Sequence, residues 1–169
     1  MTSPLPPAST PALPSTVTLA RTALYAGLLA GALDIVAAIL TNLDVPARAV
    51  LQAVASGLLG ESAWAGGWPT AWLGLGLHFA IMLVIAVIFV AAAAVIPALR
   101  RFWIPAGAAY GVAVWLVMDR VVVPLSASPI PGAVDLESAI IAIGVHIVAV
   151  GLPIAWLTRR MLGSGDRAA

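Results

Sequence analysis

The segment ALYAGLLAGALDIVAAIL at residues 23–40 and the segment AAYGVAVWLVMDRVVVPL at residues 108–125 share the pattern that decides the fold. Each is largely apolar and carries a tyrosine followed nine residues later by an aspartate, which gives Tyr25 with Asp34 and Tyr110 with Asp119. A helix needs about 20 mostly apolar residues to cross the hydrocarbon core of a bilayer. The pattern predicts two membrane-spanning helices, each with one acid inside the membrane.

A second apolar segment follows each of these, and each second segment carries a Gly-x-His sequence that ends in His78 or His146. The chain is therefore predicted to form two helical hairpins, arranged as parallel repeats about an axis along the membrane normal. An ionisable side chain inside a bilayer costs about 2.5–3.5 kcal/mol on insertion scales, which makes it a functional candidate. The candidate site residues are Asp34, His78, Asp119 and His146.

The composition indicates an integral membrane protein. Of the 169 residues, 62% are hydrophobic and only 9% are charged, whereas a soluble domain has roughly 25% charged residues. The lipid bilayer is thus the expected surrounding, and a net charge of +1 gives no reason to expect a nucleic acid partner. The chain has no cysteine, which excludes disulfides, thiolate metal sites and covalent c-type haem attachment.

The expected fold is an all-α bundle of four transmembrane helices plus one interfacial or re-entrant amphipathic helix. The four predicted spans are residues 19–43, 70–96, 103–123 and 136–157. They lie in a membrane domain at residues 19–160, between a Pro-, Ser- and Thr-rich disordered tail at residues 1–18 and a C-terminal tail at residues 161–169. Pro153 falls inside the last span, where it is expected to kink or loosen the helix.

The arginines predict the orientation. Arg48 and Arg120 fall on one side of a four-span arrangement. The other side carries Arg21, Arg100, Arg101, Arg159, Arg160 and Arg167. By the positive-inside rule this distribution predicts a multi-pass protein of the bacterial inner membrane with both termini in the cytoplasm.

The additional helix is predicted at residues 47–59, with Asn42 or Asp44 as its N-cap. Its apolar face is expected to contain Val50, Leu51, Val54 and Leu58, and its polar face Arg48, Gln52 and Ser56. Such a helix would lie in the outer interface or re-enter part of the membrane over the bundle.

Depth and facing bring the four candidates into one predicted layer. A rise of about 1.5 Å per residue places all four in the outer half of the membrane. Small residues let helices approach closely, so the candidates are expected to point inward beside the packing glycines Gly27, Gly31, Gly107 and Gly111. Two simpler interpretations stay open: each polar residue is only a packing contact, or Asp119 forms an interfacial pair with Arg120.

Three kinds of site fit this layer. Two imidazoles and two carboxylates could hold zinc or another transition metal, and the same groups could form a proton pathway with Glu61 and Asp44 at its outer mouth. A b-type haem between His78 and His146 fits less well, because haem needs room and bulky apolar walls. The accessory residues are Tyr25, Tyr110, Arg120 and Glu61.

The alternative function is a structural or assembly subunit of a membrane complex, in which the polar layer only fixes helix register. No combination of nucleophile, base and oxyanion donors is visible, so the residues give no argument for an enzyme. A homo-oligomer and a larger membrane complex both stay open.

Several stretches resemble a known group of proteins: RAVLQAVASGLLG at residues 48–60, Gly66-Gly67, LGLGLHFAIMLVIAV at residues 73–87, and residues 110–125 with their Met-Asp pair. Over most of its length the chain resembles a widespread family of small bacterial inner-membrane proteins of unknown function. Its four-helix layout is also similar to the YagU-like inner-membrane proteins, which are linked to survival in acid. The second resemblance implies a role in handling protons, and neither implies a site residue.

Overall fold

A computed structural model describes residues 14–133 and 135–163, and these ranges contain helices and no strand. Four helices are long and apolar enough to cross a membrane. They are α1 (Thr16–Leu40), α3 (Gly67–Val95), α5 (Trp103–Leu125) and α6 (Leu136–Leu162). The prediction of an all-helical protein with four candidate spans is confirmed.

The helix α1 begins three residues earlier than predicted because Ser15 caps it. The Ser15 side chain accepts a hydrogen bond from the backbone N–H of Thr18 at 3.2 Å, which satisfies one of the free donors at a helix start. Residues 16–18 therefore belong to the helix. The rest of the predicted N-terminal tail at residues 1–13 and the C-terminal residues 164–169 lie outside the described residues.

The four long helices pack around a core of mostly small and aliphatic side chains. Helix α1 lies against α3 and α6, and α5 lies against α6. The core cluster takes residues from all four helices: Ala26, Ala30, Met82, Ile85, Ala86, Phe89, Ala93, Val114, Val150, Ile154 and Ala155. Many large apolar side chains face outward instead, as expected of helices that contact lipid.

The two ends of the bundle differ in charge. Ala23, Val90 and Leu162 pack together, so the start of α1 and the ends of α3 and α6 lie at one end. We call this the basic end because it carries Arg21, Arg100, Arg101, Arg159 and Arg160. The opposite end carries α2 (Ala47–Leu59) and is called the α2 end. Short α4 (Pro97–Arg101) connects α3 to α5 at the basic end.

Helices α5 and α6 each contain a π-helical segment, at Met118–Val122 and His146–Gly151. Each segment lies just before a proline, Pro124 or Pro153. Proline has no N–H, and its ring clashes with the carbonyl four residues earlier, so the regular hydrogen-bond ladder cannot continue there. The extra residue in each wider turn changes which side chains face the bundle.

Helix α2 occupies the predicted residues, but two details of the prediction are wrong. Its N-cap residue is Pro46, which caps without a side-chain hydrogen bond, so neither Asn42 nor Asp44 has this role. Its buried residues include Gln52 and Ser56, which were expected on the polar outer face, while Leu58 is 62% exposed.

Gln52 can be buried because the chain beyond α2 supplies acceptors for its amide. Its Nε2 group lies 2.9 Å from the Ala63 carbonyl oxygen, 3.1 Å from that of Gly67 and 3.0 Å from the Thr70 hydroxyl. A buried amide with satisfied donors avoids the cost of desolvation. Gln52 thus fixes the turn between α2 and α3.

Helix α2 is also joined to its neighbours by close contacts. A Cβ atom at Gly74 of α3 would lie 1.9 Å from the Leu51 carbonyl oxygen, so only glycine fits this approach. The Ser56 and Ser128 hydroxyls are 3.0 Å apart, and the Ala127 N–H donates to the Gly57 carbonyl at 2.9 Å. These contacts hold α2 between α3 and the α5–α6 connection.

Candidate functional site

His78 lies between two helices and is bonded to the backbone. The side chain is buried, and its Nε2 atom lies 2.9 Å from the Gly31 carbonyl oxygen. A carbonyl oxygen only accepts hydrogen bonds, so Nε2 carries the proton. His78 therefore joins α3 to α1 as an interhelical contact.

Asp119 is held by the connection between α5 and α6. Its Oδ1 atom accepts a hydrogen bond from the Ala133 N–H at 2.7 Å, and its Oδ2 atom lies 3.0 Å from Nε of Arg120. The Arg120 guanidinium in turn lies 5.9 Å from the Trp115 ring centroid. This geometry matches the simpler interpretation of Asp119 as half of a pair with Arg120.

Asp34 and His146 line one cavity of about 310 Å³ between the end of α1 and the first half of α6. We call it the α1–α6 groove. Its other lining residues are Ala38, Thr41, Asn42, Ser138, Ile141, Ala142 and Val145. The structure thus brings together one acid and one histidine of the four predicted residues.

The hydrogen bond of His146 defines its tautomer. Its Nδ1 atom lies 2.8 Å from the Ala142 carbonyl oxygen one turn earlier in α6, so Nδ1 carries the proton and donates. In the neutral imidazole, Nε2 then has a free lone pair. That lone pair can accept a proton or bind a cation.

Asp34 is half-buried, and among residues 14–133 and 135–163 no hydrogen bond or ion pair to its side chain is found. The polar groups around it already donate elsewhere. The Thr41 hydroxyl donates to Ala37 at 2.8 Å, the Asn42 amide to Ala38 at 2.8 Å, and the Ser138 hydroxyl to Asp135 at 3.0 Å. Of the carboxylates in the described ranges, Asp34 is the one that lines the groove.

Of the four residues predicted to form one layer, Asp34 and His146 line the groove and His78 and Asp119 do not. Within the described ranges, no three histidine, aspartate or glutamate side chains are placed to hold a metal ion together. His78 bonds to the Gly31 carbonyl oxygen, and Asp119 accepts a hydrogen bond from the Ala133 N–H. Side chains at similar depth in a bundle meet only if their helices face each other at those positions. A similar depth alone therefore does not bring four residues to one site.

The accessory residues are spread over the molecule. Tyr110 donates its hydroxyl to the Ile85 carbonyl at 2.6 Å and packs against Phe89, with ring centroids 5.0 Å apart. Tyr25 is 50% exposed on α1. Glu61 is exposed in the short 3₁₀ helix Gly60–Trp64.

The four predicted packing glycines lie at close approaches between helices. A Cβ at Gly27 would lie 2.9 Å from the Leu83 side chain, and one at Gly31 would lie 2.8 Å from the Phe79 ring. Helix α5 approaches α6 in the same way: a Cβ at Gly107 would meet the backbone of Gly151, and one at Gly111 would meet the backbone of His146.

Three polar residues that were not predicted from the sequence also line the groove: Thr41, Asn42 and Ser138. Helical spacing could have predicted two of them, Thr41 and Ser138. Thr41 follows Asp34 by seven residues, and Ser138 precedes His146 by eight, which places each on the same helical face as its partner.

Comparison of the chain with protein-family models, with curated proteins and with solved structures finds no match. Function is therefore inferred from the residues that line the groove.

Proposed function

We propose that this protein handles protons across or within the bacterial inner membrane, with Asp34 and His146 in the α1–α6 groove as the exchanging groups. The observation that carries the proposal is that this acid and this histidine line one cavity. An ionisable residue within a membrane span is costly, and it is usually found where it serves a proton or ion pathway.

The chemistry of the pair favours a proton over the other ligands considered. A carboxylate that has no hydrogen-bond or ion-pair partner in the described part of the chain and an imidazole nitrogen with a lone pair can each accept a proton. A transition-metal site usually needs three or four protein ligands, and among the described residues the groove offers one carboxylate and one imidazole. The similarity in layout to the YagU-like proteins, which are linked to survival in acid, agrees with a proton-handling role.

Orientation and the family are part of the same proposal. The arginines of the basic end support an inner-membrane protein with both termini in the cytoplasm. Helix α2 would then lie at the outer interface, where its exposed Leu58 could contact lipid. We propose that the chain belongs to the family of small bacterial inner-membrane proteins. The resemblance at residues 48–60, 66–67, 73–87 and 110–125 supports this.

We also propose that the two hairpins are parallel repeats. In support, a glycine of the first helix approaches the residue that follows the histidine in both hairpins, Gly31 at Phe79 and Gly111 at Ile147. The registers differ, however, because Gly31 aligns with Leu116 in the repeated sequence and not with Gly111. Such a difference in register would give the acid and histidine of the first hairpin, Asp34 and His78, a different relative position from Asp119 and His146 in the second.

Proton flux into vesicles tests the proposal. The full chain is reconstituted into vesicles that contain a pH-sensitive dye, and the rate of acidification is measured after an external pH step. Wild type should acidify the lumen faster than protein-free vesicles. Asp34→Asn and His146→Ala should reduce the rate to the protein-free value.

The chain supplies matched controls for both substitutions. Asp119→Asn and His78→Ala remove the same chemical groups outside the groove, so each should keep its flux per folded molecule. A wild-type rate equal to that of protein-free vesicles would overturn the proposal and favour a structural or assembly subunit. Bound zinc that is lost in Asp34→Asn and His146→Ala would favour a metal site instead.

A further inference from the structure

Basic and acidic residues of the described chain are concentrated in different halves of the bundle. The basic end carries five arginines, Arg21, Arg100, Arg101, Arg159 and Arg160. Among the described residues, all six carboxylates lie elsewhere, in the half of the molecule nearer α2: Asp34, Asp44, Glu61, Asp119, Asp135 and Glu137. The basic end therefore attracts anions without competition from nearby acids in the described part of the chain.

Two of these arginines line a cavity of about 550 Å³ together with Trp103 and Trp156. The Arg160 guanidinium lies 4.9 Å from the Trp156 ring centroid, and that of Arg159 lies 5.9 Å from the Trp103 ring centroid. Cation–π contacts orient a guanidinium and leave its N–H groups able to bind an anion.

An apolar groove continues from this cavity. Trp103 and Trp156 also line a second space of about 370 Å³. The remaining lining residues of this space are Leu29, Leu33, Val148, Leu152 and Pro153. A charged cavity and an apolar groove thus share two tryptophans, the residue type that is enriched at the membrane–water boundary.

We propose that this composite surface is a binding site for an anionic phospholipid. The phosphate binds Arg159 and Arg160, and one acyl chain lies in the groove beside Val148 and Leu152. Basic pockets between transmembrane helices bind anionic lipid headgroups in this way, and guanidinium groups match the geometry of phosphate oxygens. The site lies at the end opposite α2 and does not depend on the function proposed for the α1–α6 groove.

Native mass spectrometry of the full chain in a nonionic detergent tests the site. The protein is titrated with dioleoyl phosphatidylglycerol and, separately, with dioleoyl phosphatidylcholine, which has the same chains but no net charge. Phosphatidylglycerol should bind more tightly. Arg159→Gln and Arg160→Gln should each weaken its binding roughly fivefold.

Two further variants separate lipid binding from general charge. Arg48→Gln removes one exposed arginine at the α2 end and should leave phosphatidylglycerol binding unchanged. Val148→Trp fills the groove at a side chain that is 67% exposed, so the protein should fold and bind phosphatidylglycerol more weakly.

Three results would overturn the proposal. Equal binding of the two lipids would remove the role of charge, and an equal loss in Arg48→Gln would remove the role of this site. Normal phosphatidylglycerol binding by Val148→Trp, together with full displacement by inorganic phosphate, would indicate a site for free anions and not for a lipid.

Discussion

His78 donates a hydrogen bond from Nε2 to the Gly31 carbonyl oxygen over 2.9 Å, and this bond joins α3 to α1 inside the bundle. The approach depends on the glycine, because a Cβ at Gly31 would lie 2.8 Å from the ring of Phe79. The bond and the close packing therefore support each other. His146, in the same Gly-x-His context, bonds to its own helix instead.

We expect His78→Ala to lower stability by about 1–3 kcal/mol, because it removes a buried interhelical hydrogen bond and opens a cavity. Thermal unfolding of the purified protein in detergent, followed by circular dichroism, measures the change. His146→Ala is the matched control and should have a smaller effect, because its imidazole is less buried and bonds only within α6. An equal loss in both variants would contradict the structural role assigned to His78.

A second prediction concerns the contact between α2 and α3. Gly74→Ala would place a Cβ 1.9 Å from the Leu51 carbonyl oxygen, and the resulting overpacking should cost about 1–3 kcal/mol. Gly76→Ala is two residues away on the same helix, where an added Cβ meets no atom within 4 Å. It should be neutral or stabilising by up to about 1 kcal/mol, since alanine favours helix. Unfolding curves of both variants that shift alike would rule out the close approach.

The four spans could be predicted from the sequence because their length and apolar composition are local properties. The predicted span at residues 103–123 differs from Trp103–Leu125 by two residues, and the others differ by up to five at an end. The bilayer requires long helices that satisfy their own backbone hydrogen bonds, so hydropathy alone locates them.

The facing of side chains could not be predicted in the same way. Gln52 appeared polar and solvent-facing, but it is buried because Ala63, Gly67 and Thr70 provide acceptors that exist only in the folded chain. Asp119 and His146 lie in π-helical segments, where regular helical spacing no longer predicts direction. The position of Asp34 and His146 in one groove likewise depends on how the helices pack.

The start of α6 should be sensitive to acid. Hydrogen bonds from the Ser138 backbone N–H and then from its hydroxyl hold the pKa of Asp135 below its usual value of 3.8. A lowered pKa in the folded state means that Asp135 stabilises the protein above pH 3.8, and that this contribution is lost as the pH falls through the folded-state pKa.

Asp135→Ala should therefore lower the melting temperature at neutral pH, and by less at a pH below the folded-state pKa, where the wild-type carboxyl is protonated. Asp135→Asn keeps a good N-cap without a charge, so its melting temperature should depend less on pH than that of wild type. Melting curves of wild type and both variants, measured from neutral pH down to a pH below the folded-state pKa of Asp135, provide the test. If the wild-type and Asp135→Asn curves stay parallel, the Asp135 charge has no part in stabilising α6.

The last prediction concerns orientation, and the absence of cysteine makes it simple to test. Ala98 is exposed at the basic end and Ser62 is exposed at the α2 end. Because the arginine-rich end of a bundle stays in the cytoplasm, Ala98→Cys should be protected from a membrane-impermeant thiol reagent in intact cells, and Ser62→Cys should react. Both cysteines should react after the membrane is permeabilised, which controls for accessibility in the folded protein. Labelling of Ala98→Cys alone in intact cells would invert the orientation and place the α1–α6 groove at the cytoplasmic side.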